Sequence, residues 1–201
     1  MEKIIRKVFV LLTVLTVGFS ATSCDEDTIT LILGIIQNLA GGQQTSFTGE
    51  MSTLRLVREN IDDNNDWDYP TGKSNSYRFK STQTVTLQVT GTAGSQTATI
   101  NIPTIQFDDI TITGVTMQGI PYVTDGAEAT LGKEGFYYTI TRTENGKTET
   151  ITSDKSNEEH YFISFTGGKV TNDGKLTFSI SLVMGKEAIN ADYTGTTPVQ
   201  Q

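Results

Sequence analysis

The densest set of oxygen donors in the chain is Asp62-Asp63-Asn64-Asn65-Asp66-Trp67-Asp68. Asp62, Asn64, Asp66 and Asp68 alternate as the first ligands of a calcium loop do, because a hard cation takes carboxylate and carbonyl oxygens along a tight turn. The pattern then stops. Its sixth position is Trp67, where the turn needs glycine, and its twelfth is Lys73, where a bidentate glutamate belongs. The loop reads as solvated, and no metal site is assigned. Trp67 and Tyr69 either form a contact surface for sugar or protein or fold back over the mouth of the domain, and the second is expected. His160, the one histidine, stands beside Glu158, Glu159 and Tyr161. With one cysteine elsewhere it makes no zinc ligand set, and no motif marks a serine or cysteine nucleophile, so His160 reads as an ordinary strand-start residue. Asp108-Asp109 and Glu158-Glu159 are adjacent carboxylates, but neighbours on a strand point to opposite faces and do not converge on one bond. No glycine-rich phosphate loop precedes a helix. The expectation is a protein without enzymatic activity and without a cofactor.

Cys24 is the only cysteine. Before it stand a basic start (Lys3, Arg6, Lys7), an apolar run from Val8 to Phe19, and the small residues Ser20-Ala21-Thr22-Ser23. That is the layout of an export signal, with an apolar run too short for a transmembrane helix, which needs about 20 residues. A cysteine at this place resembles the lipobox of bacterial lipoproteins, in which the thiol is acylated and becomes the mature N-terminus. Ala21 stands where leucine is usual, a looser form similar to that of Bacteroides-type lipoproteins. The acids Asp25-Glu26-Asp27 resemble the surface-export signal of the same group, or are a solvated spacer. Asp27-Thr28-Ile29 also fits its short O-glycosylation pattern. Ordinary secretion with a free thiol is the alternative. Acylation suffices for anchoring, since each buried CH₂ contributes about 0.8 kcal/mol and more than one chain gives stable attachment.

Three domains of behaviour follow: a leader over 1–23, a tether with a short apolar helix over 24–44, and a β domain over 45–198. Losing Glu2, Lys3, Arg6 and Lys7 with the leader takes the net charge from −8 to −10. So acidic a surface repels phosphate backbones and anionic lipid heads, so nucleic acid is not expected as a partner and the acyl group rather than a basic face is expected to hold a membrane. No second cysteine is available for a disulfide, and stability must come from one hydrophobic core.

In the tether, Ile29, Ile32, Ile36 and Leu39 share one helical face, Leu31, Leu33 and Ile35 widen it, and Gly41-Gly42 end it. Such a segment is expected to cover one end of the β domain, to lie on lipid, or to dock into a partner; a strand is also open. From Thr45 the period is two. Val85, Leu87 and Val89 alternate with polar residues, as do Ala98, Ile100 and Ile102, and Leu176, Phe178, Ile180 and Leu182. Asn145-Gly146, Asp173-Gly174 and Gly185-Lys186 are hairpin turns by composition, and Thr92-Ala93-Gly94-Ser95 is a fourth. Strands are expected near 45–58, 75–90, 95–102, 105–113, 116–123, 135–144, 147–153, 159–166, 175–184 and 187–195. Two phase breaks, between Met51 and Leu54 and across Asp108-Asp109, suggest bulges or bends. Phe136, Tyr138 and Ile140 share one strand face, as core before ligand wall, with Tyr137 opposite. The expected fold is all-β, an antiparallel meander closed or nearly closed into a barrel of about eight to ten strands.

Phe47-Thr48-Gly49 opens the β domain and Tyr193-Thr194-Gly195 closes it; Phe165-Thr166-Gly167 repeats the pattern. Behind such a lipobox, this layout resembles the calycin-like (lipocalin-like) outer-membrane lipoproteins of the Bacteroidales. The resemblance implies a barrel whose two ends meet, and no activity transferable to particular residues. The Gly-x-Trp of true lipocalins is absent, Trp67 lying in the acidic loop instead. The functional expectation is a lipid-anchored protein of the outer membrane, exposed at the cell surface. It is either a binding module for a small apolar or carbohydrate ligand, or a packed barrel that engages a surface protein. Lipidation at Cys24 is the one site assigned; no ligand-binding residue is.

Overall fold

The computed structural model describes residues 42, 44–57, 78–92, 94–125, 128–171 and 173–197. Cys24 with its lipobox, the apolar segment 28–40 expected to form a helix, and the acidic loop 62–68 lie outside them. Eleven strands account for the regular structure among the described residues: β1 (Thr45–Val57), β2 (Phe79–Thr90), β3 (Gln96–Phe107), β4 (Ile110–Asp125), β5 (Glu128–Leu131), β6 (Glu134–Phe136), β7 (Thr139–Glu144), β8 (Lys147–Thr152), β9 (Tyr161–Thr171), β10 (Lys175–Met184) and β11 (Glu187–Thr196). Eight of them close a circuit, β1–β2–β3–β4–β5–β9–β10–β11 and back to β1, with every pairing antiparallel. This is a closed eight-stranded barrel, consistent with a calycin-like fold. Its first and last strands meet, since β1 and β11 pair from Thr48↔Thr196 to Val57↔Glu187.

The alternating residues fill the inside. Val85, Leu87, Ala98, Ile100, Ile102, Leu176 and Leu182 are fully buried, and so are Phe47, Met51, Met117 and Ile163. Phe165, Phe178 and Tyr193 stack in sequence, with ring centroids 5.9 and 5.0 Å apart. A barrel of about eight strands has an interior just wide enough for side chains to fill, and large aromatics occupy it here. The Asn145-Gly146 turn has both residues at positive φ, 50° and 74°, which matches the twist of the flanking strands.

The aromatic-x-Gly pattern in the first and last strands has a physical basis. Gly49 and Gly195 stand directly opposite each other. The Tyr193 ring lies over Gly195, and its hydroxyl donates to the Phe47 carbonyl at 2.7 Å. Burial pushes the Tyr193 phenol up to about 12, against a weaker opposing backbone hydrogen bond. The third copy does something else: Thr166 and Gly167 (φ 120°) form a bulge in β9, where the ladder to β10 shifts between Ser179 and Ile180.

Several strand expectations are corrected. Asp108-Asp109 is not a bend within a strand but the turn of a hairpin, with Phe107 paired to Ile110 and Asp108 at φ 53°. The spans expected at 95–102, 105–113 and 116–123 are therefore two long strands, and aspartate's tolerance of left-handed backbone makes the turn. No bulge lies between Met51 and Leu54, because the β1–β11 ladder is unbroken there. Thr53 takes the inward position instead, its hydroxyl donating to the carbonyls of Gln106 at 2.7 Å and Phe79 at 3.3 Å. The span 135–144 is two strands: β6 pairs with β9 and β7 with β4, so Tyr137 and Tyr138 cross between the two walls. The four-residue β5 was not expected; it is too short to show a period, yet it joins β4 to β9 and closes the barrel.

Candidate functional site

The wall between β4 and β9 is continuous at one end only. There β5 pairs with both strands; at the other end β6 follows β9 while β7 and β8 follow β4. No ladder joins β6 to β7. A break in a barrel wall exposes side chains of both flanks, and a site is built on this one.

The crossing segment is tied down first. Tyr138 is buried, its amide donates to Ser153 Oγ at 2.7 Å, and Ser153 N–H donates back to the Tyr138 carbonyl at 2.8 Å. Its hydroxyl reaches the Val183 carbonyl at 2.7 Å, and burial pushes that phenol far up. With Tyr138 turned in, alternation turns Tyr137 out, where it is 51% exposed. The turn after β8 is organised by side chains. Asp154 accepts from the Ser156 amide at 2.7 Å and hydroxyl at 2.5 Å, while Asn157 accepts from the Asp154 amide at 2.8 Å and donates to the Thr152 carbonyl at 3.0 Å. These bonds, the Ser156 hydroxyl foremost, hold the Asp154 carboxyl below its usual range. They also present Glu158, which accepts the Tyr137 hydroxyl.

Gly135, Phe136, Tyr137, Glu158 and Phe162 together line an open groove of about 460 Å³. Phe136 packs one side on the core, while Phe162 takes the outward parity between the buried Ile163 and Tyr161's half-buried position. Aromatic walls, a glycine with open space above it and one carboxylate suit a ligand with an apolar face and a hydrogen-bonding or charged group. The Glu158 bond holds the Tyr137 phenol above its ordinary value, with burial and the charges of Glu158 and Asp154 adding to it. A raised phenol favours the bond below its ordinary pKa near 10, and the bond is lost as pH rises through the folded value. Spectrophotometric titration should therefore show several tyrosines ionising above 10, of which one, Tyr137, moves back toward 10 in Glu158→Gln. An unchanged titration in that variant would separate the two groups.

A second polar constellation lies nearby and does other work. Arg142 on β7 contacts Glu144 at 2.6 Å, Glu187 at 2.9 Å and Glu149 at 3.2 Å. Arg55 on β1 contacts Glu144 at 3.2 Å, and its Nε stands 2.7 Å from Glu187 Oε1, a contact of charges outside hydrogen-bond geometry. Burial alone would lower the Arg142 guanidinium; Glu187, Glu144 and Glu149 outweigh it and hold it above its ordinary value. Glu144 and Glu187 each answer two arginines. The cluster ties β7 and β8 to β1 and β11, strands with which they share no ladder.

The other residues singled out by sequence do not converge. His160 belongs to the turn, where its carbonyl accepts from Gly185 N–H at 2.7 Å. Glu158 serves the groove, whereas Glu159 does not line it. Among the described residues no group of three or more His, Cys, Asp and Glu is placed to hold a metal ion. Phe136, Tyr138 and Ile140 all pack on the core, but not as one strand face: Phe136 is on β6, Ile140 on β7 and Tyr138 in the segment between them. Phe162 and Gly135 were missed; the signal available for Phe162 was an aromatic on the wrong parity beside Ile163 and Phe165. The chain matches no protein-family model, no curated protein and no solved structure.

Proposed function

We propose that this chain is a calycin-like lipoprotein, held to the outer membrane through acylated Cys24 and exposed at the cell surface. Its activity is binding, without catalysis. The barrel is the rigid body, and the ligand, small and with an apolar or carbohydrate face, lies in the groove of Phe136, Tyr137, Glu158 and Phe162. The observation that supports this reading is the open aromatic groove; the filled interior, which a protein-engaging barrel shares, leaves no room for an enclosed ligand. Phe47, Met51, Phe107, Met117, Phe165 and Tyr193 are each no more than 1% exposed and take the space where an enclosed ligand would sit. The open groove takes its place as the concave, aromatic-lined surface.

Native mass spectrometry of the protein purified from its own host tests this. A small molecule retained by the wild type and lost with Tyr137→Ala supports it. A retained molecule unaffected by Tyr137→Ala and Phe162→Ala places binding elsewhere. Anchoring has its own test: Cys24→Ala should move the protein from the membrane fraction to the soluble one, and a variant that stays with the membrane contradicts acylation.

The second reading, a protein-engaging packed barrel, is favoured by one outer-wall feature. Leu56, Ala188, Val183 and Phe162 are successive cross-strand neighbours and form an apolar row over β1, β11, β10 and β9, in which Val183 is buried and the other three are half-buried. Loss of a protein contact in Leu56→Glu with small-molecule binding intact would favour it.

A further inference from the structure

We infer that the groove selects an organic ammonium ion, one whose nitrogen carries methyl or methylene groups, over a neutral ligand of the same shape. The inference rests on the groove being the binding site proposed above. Three observations carry it. First, the lining offers three aromatic side chains, Phe136, Tyr137 and Phe162, around a space of about 460 Å³, and ring faces attract cations. Secondly, the one charged side chain in the lining is a carboxylate, Glu158; Lys133 and Lys155 are close in sequence, but neither lines the groove. Thirdly, that carboxylate is without a cationic partner among the described residues. Glu50 pairs with Lys80, Glu128 with Lys169, and Glu144, Glu149 and Glu187 with arginines; Glu134 and Glu159 have no ion pair among the described residues either, but neither lines the groove. Glu158 receives only a neutral phenol on one oxygen, so its charge is held in place and uncancelled.

The combination discriminates by charge and by surface. An anionic ligand meets Glu158, with Asp154 near enough to act on the same phenol. A bare metal ion or an ammonium without carbon substituents gains little from the rings, because its tightly held water must be removed. An alkylated ammonium spreads its charge over C–H groups that contact the rings directly, while its field reaches Glu158. Gly135 supports the same placement: a side chain there would meet open space, so its absence leaves room at the groove edge rather than relieving a clash.

The test is a titration of the full ¹⁵N-labelled protein with tetramethylammonium chloride, against sodium chloride at matched ionic strength. Parallel titrations use tert-butanol, a neutral near-isostere, and methyl glucoside. Saturable amide shifts confined to Gly135, Phe136, Tyr137, Glu158 and Phe162 are expected with tetramethylammonium. Affinity should fall about tenfold in Glu158→Gln, whose exposed site leaves the fold intact, and by a similar factor in Phe162→Ala. Equal affinity for tert-butanol, or no change in Glu158→Gln, overturns the inference. If methyl glucoside moves these amides and tetramethylammonium does not, the groove stands as the site and the ammonium assignment falls. If none of the three moves them, both fall.

Discussion

Gly49→Ala should lower stability by about 3 kcal/mol, on the order of 10 °C in the melting temperature. The reason is the absence of space rather than an unusual backbone angle. A methyl group on Gly49 would overlap the Thr194 carbonyl oxygen and the Gly195 Cα, and would stand 2.7 Å from the Thr194 carbonyl carbon. All three are backbone atoms of β11, so relief requires moving a strand hydrogen-bonded to β1 along ten residue pairs and to β10 along ten. Gly195→Ala meets the Tyr193 ring instead, 2.6 Å from its Cζ. Displacing that ring removes a hydroxyl from the Phe47 carbonyl and disturbs the Phe178 stack. Gly135→Ala is the control: nothing lies within 4 Å of an added Cβ, and the melting temperature should stay within about 2 °C of the wild type. Equal effects at Gly49 and Gly135 would contradict the close approach of β1 and β11.

Arg142→Ala is the second large effect, about 2 kcal/mol, kept below the range for a fully buried pair because the cluster is partly wet. The Arg142 side chain is 12% exposed and that of Glu187 14%, so removing the guanidinium leaves a nearly buried carboxylate facing Arg55 alone. The distribution of the effect is the sharper test. The β7–β8 hairpin holds the barrel by four residue pairs to β4, by Ile140 and Ile151 packed on the core and by this cluster, while the far edge of β8 pairs with nothing among the described residues. Hydrogen exchange in Arg142→Ala should therefore quicken over residues 139–152 and stay slow in β1, β10 and β11. Glu187→Gln in the same background should add less than it does alone, since both changes break one network. Uniform acceleration over all strands would mean that the cluster supports the barrel and not the hairpin.

The barrel was legible in the sequence where a strand is long, has one wet face and ends in a turn of strong composition. β2 and β10 meet those conditions, and so does the turn at Asn145-Gly146. Reading failed where a polar residue points inward. Thr53 is satisfied by two carbonyls of neighbouring strands, and on hydropathy alone that looks like a slipped phase. It failed again at Asp108-Asp109, where the turn falls inside a run of isoleucines, and at β5, whose four residues show only Ala129 and Leu131 to the core. The groove was half visible. The outward parity of Tyr137 follows from Phe136 and Tyr138, but its partner Glu158 comes from a turn that folds back over Tyr137 only because Asp154, Ser156 and Asn157 bond one another. The ion cluster was not visible, because Arg55, Arg142 and Glu187 come together only when β7 is laid toward β1 and β11.

The claim at the centre is that the barrel is packed and binding happens on its outside. Amide and methyl shift mapping of the labelled protein, mixed with a small-molecule extract of its host's cell envelope, addresses it directly. The expected result is movement at Gly135, Tyr137, Glu158 and Phe162, with the methyl groups of Leu87, Met117, Ile163 and Leu182 unmoved. Movement of those interior methyls, with the groove silent, would contradict it.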